Sequence, residues 1–136
     1  MPYTAFESEI VIRPDDIDVN GHVHNSTYLD LVLAARYDQM GRCYGVPMED
    51  FLKHGYSWVN SRSYIEFKRE LFMGDIAVVR THISEMYGRG VKVAFEILSK
   101  STGKLCASGW QDYIMINVES GKAATIPDWI VEKYSV

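Results

Sequence analysis

The sequence predicts an α+β fold in which a curled antiparallel sheet wraps one long buried helix. Three observations point there. One long helical pattern, from about Asn25 or Ser26 to Met40, is apolar almost all round. Four long strand patterns follow it in series. Short turn sequences of the hairpin kind separate the last three.

The first strand runs from about Phe6 to Arg13. Phe6, Ser8, Ile10 and Ile12 share one face, Glu7, Glu9 and Arg13 take the other, and Pro14 closes it. Asp15 to His24 is polar and irregular. Asn25, Ser26 or Thr27 is placed to cap the helix and Gly41 to end it. Tyr28, Leu29, Leu31, Val32, Leu33, Ala34, Ala35 and Tyr37 leave the helix without a polar face, so it must be enclosed. A helical turn is expected near Pro47 to His54. Strands follow at about Ser57 to Lys68, Ile76 to Met86, Val91 to Lys100 and Leu105 to Val118. Val91, Val93, Phe95 and Ile97 alternate with Lys92, Ala94 and Glu96, as in a strand buried on one face. Gly88-Arg89-Gly90, Ser101-Thr102-Gly103 and Ser120-Gly121 sit at hairpin turns. A short last strand is expected at about Ala123 to Ile126, and a helical turn after Pro127.

At 136 residues the chain is expected to be a single domain, 1–136. That size leaves little surface for a deep private cleft, and many small enzymes build their pockets between subunits. Fourteen basic against eighteen acidic side chains give a net charge of −4, which argues against a nucleic-acid partner. Two cysteines make no disulfide framework and favour a reducing compartment. The first residues show no secretory signal, and no apolar run nears the roughly 20 residues of a membrane span. The expected location is the cytoplasm.

The densest polar cluster is DDIDVNGHVHN, Asp15 to Asn25. If it stays extended, Asp16, Asp18, Asn20, His22 and His24 line one side, with Gly21 able to break the alternation. Calcium would suit Asp16-x-Asp18-x-Asn20-Gly21, but the twelfth position holds Thr27 instead of a bidentate Glu, and a strand precedes the loop. A transition metal on His22-x-His24 would need another ligand, with His54 or His82 folding in. A carboxylate beside a helix N-terminus is the third possibility: free N–H groups there can polarise a carbonyl, and the carboxylate can attack it or activate water. Solvated turn residues are the plain alternative. There is no G-x-S-x-G, and Cys43 and Cys106 fit core positions.

DIDVNGHVHNSTYL, Asp16 to Leu29, resembles the signature of hot-dog-fold thioesterases, above all the group of 4-hydroxybenzoyl-CoA thioesterase and bacterial acyl-CoA thioesterases. Asp16, Asp18, Gly21, Val23 and Tyr28 fill the pattern Asp-x-Asp-x-x-Gly-x-Val-x-x-x-x-Tyr without a gap. The resemblance reaches more weakly over about Phe6 to Pro127, through Phe67-Lys68-Arg69, Gly74-Asp75, Gly121-Lys122 and Ile126-Pro127. It implies the hot-dog fold, with the helix inside the curled sheet. It implies hydrolysis of an acyl thioester of coenzyme A or acyl carrier protein, with Asp18 as nucleophile or general base. The helix-start amide at Asn25 would polarise the carbonyl. Asp18-x-Asn20-x-His22 is also similar to a run in plant acyl-acyl carrier protein thioesterases, which implies that Asn20 and His22 orient substrate or water. A structural hydrogen bond serves His22 equally well.

Many relatives carry a Glu in the middle of the helix, where this chain has Leu33 and Ala34, so the resemblance points to Asp18 and away from a helix carboxylate. Arg89 is placed to meet a coenzyme A phosphate, or is simply solvated. Tyr28 and Trp58 are candidates for substrate binding, and Tyr56, Trp58 and Tyr64 for an acyl pocket or plain core. No metal and no cofactor is expected. Similar proteins build their sites between subunits, which implies a homodimer or a tetramer. Two alternatives share the fold: an acyl-CoA-binding module that does no chemistry, and a hydroxyacyl hydratase, whose His and acidic residue are not found.

Overall fold

The computed structural model describes residues 3–136. Its elements run β1 (Phe6–Val11), a 3-10 turn (Pro14–Asp16), α1 (Asn25–Arg42), α2 (Met48–Lys53), β2 (Tyr56–Phe67), β3 (Ile76–Tyr87), β4 (Gly90–Ser99), β5 (Leu105–Asn117) and α3 (Asp128–Tyr134). The strands form one sheet in the order β1-β3-β4-β5-β2, and every pairing is antiparallel. The α+β layout therefore holds. Registers shift at Asn60/Arg62, Ile83/Glu85 and Ile97/Leu98. Such bulges raise the local twist, which lets the sheet curl over α1. In β4, Val91, Val93, Phe95 and Ile97 are all buried, as the alternation requires.

The core divides along α1. Tyr28, Leu31, Val32 and Ala35 pack with Val79, Phe95 and Ile97 toward the helix N-terminus. Met40 packs with Phe51, Ile83, Met115, Ile130 and Tyr134 toward the other end. Between them Gln39 is fully buried and fully bonded. Its Nε2 donates to Ser8 Oγ (3.1 Å) and the Phe6 carbonyl (3.4 Å), and its Oε1 accepts from Thr81 Oγ1. An unpaired amide at that depth would cost about 1–3 kcal/mol. The three bonds thus fix how α1 sits over β1 and β3.

Three sequence expectations need correction. The helix is not enclosed on every side: Leu33 and Tyr37 are 55% and 56% exposed, and Ala34 is also exposed. One sheet covers one helix face, and the apolar stripe opposite stays open in a single chain. The helix also runs through Gly41 to Arg42. Finally, no strand forms at 123–126. Ala123 makes one bridge to Ile116, and then the Ile126 N–H turns to the Gly88 carbonyl (2.8 Å), so the chain crosses the end of the β3–β4 hairpin instead of following β5.

Candidate functional site

Asp15 to Asn25 does not run extended. After the 3-10 turn, Ile17 and Val23 pair across a tight loop. The Asp18 N–H donates to the His22 carbonyl (2.8 Å) and the Gly21 N–H to the Asp18 carbonyl (3.1 Å). Gly21 lies at φ 78°, where a side chain would be strained. The chain reverses there, so the expected single line of Asp16, Asp18, Asn20, His22 and His24 gives way to a loop with separate jobs for its residues.

Asp18 Oδ1 accepts from the backbone N–H groups of Asn20 (2.8 Å) and His22 (3.2 Å). Oδ2 makes no hydrogen bond among the described residues. The Asn20 amide, assisted by that of His22 against partial desolvation, holds the carboxyl below its ordinary value of 3.8. Asp16 is used differently: its Oδ2 accepts from the Arg13 N–H (2.7 Å), which closes the end of the first strand region.

The loop is fastened to the segment after β2. His22 bridges to Phe72, and the Val23 N–H donates to the Leu71 carbonyl (3.0 Å). His22 Nδ1 lies 2.8 Å from Glu70 Oε2, and its ring meets Phe72 edge-on at 5.1 Å. The bond to Glu70 calls for a proton on Nδ1 and leaves Nε2 free. Tyr28 is 1% exposed, and its hydroxyl accepts from the Leu71 N–H (3.0 Å). It stands in the core as a post between α1 and Leu71, away from any open surface. Asn20 is exposed, and its side chain makes no hydrogen bond among the described residues.

The start of α1 is uncapped. The N-cap position belongs to His24, not to Asn25, Ser26 or Thr27, and among the described residues no side chain caps the first turn, which carries no acidic residue. The Thr27 N–H returns to the His24 carbonyl (3.0 Å), while those of Asn25 and Ser26 find no partner among the described residues. Those N–H groups and the positive dipole end stand free to meet a carbonyl oxygen. The bond from the His24 N–H to the Asp16 carbonyl (3.0 Å) ties the Asp18 loop to this helix start.

A cavity of about 740 Å³ adjoins His22's partners, with Glu70 and Phe72 in its wall beside Lys68, Arg69, Asp75 and Lys104. Among the described residues no three His, Cys, Asp or Glu side chains gather as metal ligands. His54 Nδ1 instead bonds the Asp50 carbonyl within α2 (2.8 Å). On the expectation that a carboxylate supplies the chemistry, a chelator such as EDTA should leave turnover within about twofold. Loss of activity restored by one particular ion would contradict a carboxylate-only site. Burial raises the thiol pKa of both Cys43 and Cys106, which disfavours either as nucleophile.

Two expected contacts fall elsewhere. The Asp18 loop is fastened to Leu71 and Phe72, in the segment that leads into the Ile76 end of β3, whereas Arg89 is exposed in the hairpin beyond Tyr87. Eleven steps of β3 at about 3.3 Å put roughly 36 Å of strand between those ends. Trp58 pairs with Met115 near the Arg89 end and packs on Phe51 and Tyr134. One chain thus gathers Asp18, Asn20, His22 and Asn25, and leaves Arg89 and Trp58 apart. Sequence reading missed Glu70 and Phe72, because no spacing signals a contact made across 48 to 50 positions. It also missed Arg36, buried at 4% exposure. Its place four residues after Val32 and one turn before Met40 was the available signal.

A sequence model of the Thioesterase-like superfamily matches residues 12–134. The chain is 21% identical over 131 residues to the long-chain acyl-CoA thioesterase FadM of Escherichia coli, covering 93% of this chain and 95% of that protein. A hypothetical protein, TT1821 from Thermus thermophilus, superposes with a TM-score of 0.87 at 26% identity, over 95% of this chain and 96% of that one. The DHNA-CoA thioesterase from Staphylococcus aureus does so with a TM-score of 0.88 at 23% identity, over 96% and 89%.

Proposed function

The chain belongs to the thioesterase-like superfamily and has the hot-dog fold, and from that premise we propose that it hydrolyses acyl-CoA thioesters with Asp18 as its reactive carboxylate. One observation carries the assignment. Two backbone amides grip Asp18 Oδ1 and leave Oδ2 free, on a loop tied to an uncapped helix start. The substrate carbonyl oxygen accepts from the Asn25 N–H, which favours the oxyanion as it forms. Oδ2 then either attacks the carbonyl carbon or takes a proton from water. By the first route a mixed anhydride forms, the thiolate leaves, and water cleaves the anhydride. By the second, the water oxygen adds and the thiolate leaves directly. A thiol with pKa about 8.5 departs without a strong general acid. Its depressed pKa keeps Asp18 ionised at neutral pH. His22, through Nε2, and Asn20 are assigned to orienting substrate or water. Tyr28 serves this site by holding Leu71. Free-thiol release across a panel of acyl-CoA and acyl-acyl carrier protein thioesters tests the reading and decides the carrier.

The working form is a homo-oligomer, at least a dimer and in our reading a tetramer built from two dimers. β2 supports this: it is a twelve-residue edge strand with Val59, Tyr64 and Phe67 exposed, and the open stripe of α1 adds Leu33 and Tyr37. An edge so long and apolar invites a second copy. A second copy is also the source of an Arg89 for coenzyme A phosphates, given the separation within one chain. Sedimentation at micromolar concentration is expected to show a dimer or larger; a monomer would contradict this. No described helix is long and apolar enough to cross a membrane, and the expected location remains the cytoplasm.

A further inference from the structure

Four buried polar groups cluster at the C-terminal half of α1 with more protons to donate than oxygens to accept them. Arg36 Nη1, Tyr44 Oη, Trp58 Nε1 and Tyr134 Oη are inaccessible to solvent and lack well-formed hydrogen bonds among the described residues. They are neighbours: the Arg36 guanidinium lies 5.7 Å from the Tyr44 ring centre, the Tyr44 and Tyr134 rings 4.6 Å apart, and the Trp58 and Tyr134 rings 6.1 Å apart. Letting Arg36 and Trp58 donate to the tyrosine oxygens, and one tyrosine to the other, would still leave at least one phenolic proton without an acceptor in the cluster. Burial holds Tyr134 at about 12 and raises Tyr44, so neither becomes a phenolate to balance the arginine. No ion pair reaches Arg36 among the described residues. Gln39, on the same helix, is by contrast fully bonded.

Arg36 and Trp58 also face a cavity of about 60 Å³, walled besides by Leu33, Tyr37, Met40 and Tyr113. A water needs about 10–15 Å³ on such a measure, so a carboxylate fits. An apolar track leads to it. Leu29, Leu33 and Tyr37 fall at four-residue spacing on one line of the helix, half-buried or exposed. The line starts at Asn25, and eleven residues at about 1.5 Å put Arg36 roughly 16 Å down the axis. A zigzag of carbon–carbon bonds of about 1.5 Å covers that in about a dozen bonds.

Resting on the thioesterase reading, we propose that this pocket is an anion subsite, and that the preferred substrate is a long-chain acyl thioester with a carboxylate at its far end. The thioester carbonyl sits at Asn25, the chain follows Leu29, Leu33 and Tyr37, and the distal carboxylate takes the protons of Arg36 and Trp58.

The test compares dodecanoyl-CoA with its 11-carboxyundecanoyl counterpart on the native oligomer. Wild type is expected to favour the carboxylated chain by about tenfold or more in kcat/KM, the worth of a charge-assisted hydrogen bond. Arg36→Met should bring that ratio to one or below. Trp58→Phe, which keeps an aromatic ring and removes the N–H, should lower it about threefold or more, and decides the matter if Arg36→Met does not fold. Calorimetric titration with dodecanedioate and dodecanoate reads the subsite without any hydrolysis. The diacid should bind wild type more tightly, and that advantage should vanish in the variants. Wild type that treats both chains alike, or folded variants that keep the preference, would overturn the subsite. Absence of thiol release from every thioester, with the diacid still favoured, would instead sink the enzymatic reading and leave the subsite standing.

Discussion

Asp18→Asn is expected to lower kcat on a good acyl-CoA substrate by about 10²–10⁴-fold, the usual worth of a positioned acid–base group, and by more if the carboxylate is the nucleophile. Asn keeps the shape and keeps an Oδ1 to accept from Asn20 and His22, so the loop and substrate affinity should survive. Its other atom becomes an amide that neither attacks nor takes a proton near neutral pH. Asp16→Asn is the control. It carries the same charge change two residues away, and the Asp16 carboxylate serves the Arg13 N–H instead. That variant should cost some thermal stability and little kcat. The pH profile gives a second check. The Asn20 amide holds the Asp18 pKa below 3.8, and kcat/KM reports the free enzyme, so its acid limb should lie below that value. Activity is then lost as pH falls through the lowered pKa, and Asp18→Asn should abolish that limb. A variant keeping more than about a tenth of wild-type kcat is outside what losing such a group allows.

Gly109→Ala is expected to be the most damaging single change to the fold. Gly109 lies in β5 opposite Ile65 of β2. A Cβ there would stand 1.8 Å from the Tyr64 carbonyl oxygen and 2.9 Å from the Ile65 Cα. Both are backbone atoms, so no rotamer change relieves the clash. Among the described residues β2 is an edge strand paired only with β5, and separating the two removes the surface on which a second copy is expected to dock. Overpacking of a well-ordered core costs typically about 1–3 kcal/mol, and a backbone clash falls at or beyond the upper end. At about 3–5 °C per kcal/mol for a chain of this size, the melting temperature should fall by roughly 10 °C, with loss of oligomer in sedimentation. A melt within about 2 °C of wild type would show that the β2–β5 ladder yields more easily than its register indicates.

Most of the fold was legible because its signals are local. The alternation of Val91, Val93, Phe95 and Ile97 and the turns at Gly88-Arg89-Gly90 and Ser101-Thr102-Gly103 are short-range patterns, and β3, β4 and β5 follow them, whereas the turn at Ser120-Gly121 leads into no strand. Gly109 could not be read in the same way, since its constraint is the approach of a carbonyl more than forty positions away. The openness of Leu33 and Tyr37 was illegible too: hydrophobicity shows that a face must be covered, and does not say whether its own sheet or a second chain covers it. At the site, the Asp18 loop was marked by its residue types and by Gly21. Its internal division of labour was not, because which Asp accepts which amide depends on the turn geometry. Arg36 was passed over for a related reason. An arginine inside an apolar helical pattern reads as a solvated side chain until its period places it against the core.

The most direct measurement follows free thiol and equilibrium binding on the same sample of wild-type oligomer, with acyl-CoA substrates of graded chain length. The expected result is catalytic release of coenzyme A thiol, one equivalent for each free acid formed and many for each protein chain. Saturable acyl-CoA binding with no thiol released from any chain length would contradict it, and would mark the protein as a binding module that uses the same fold.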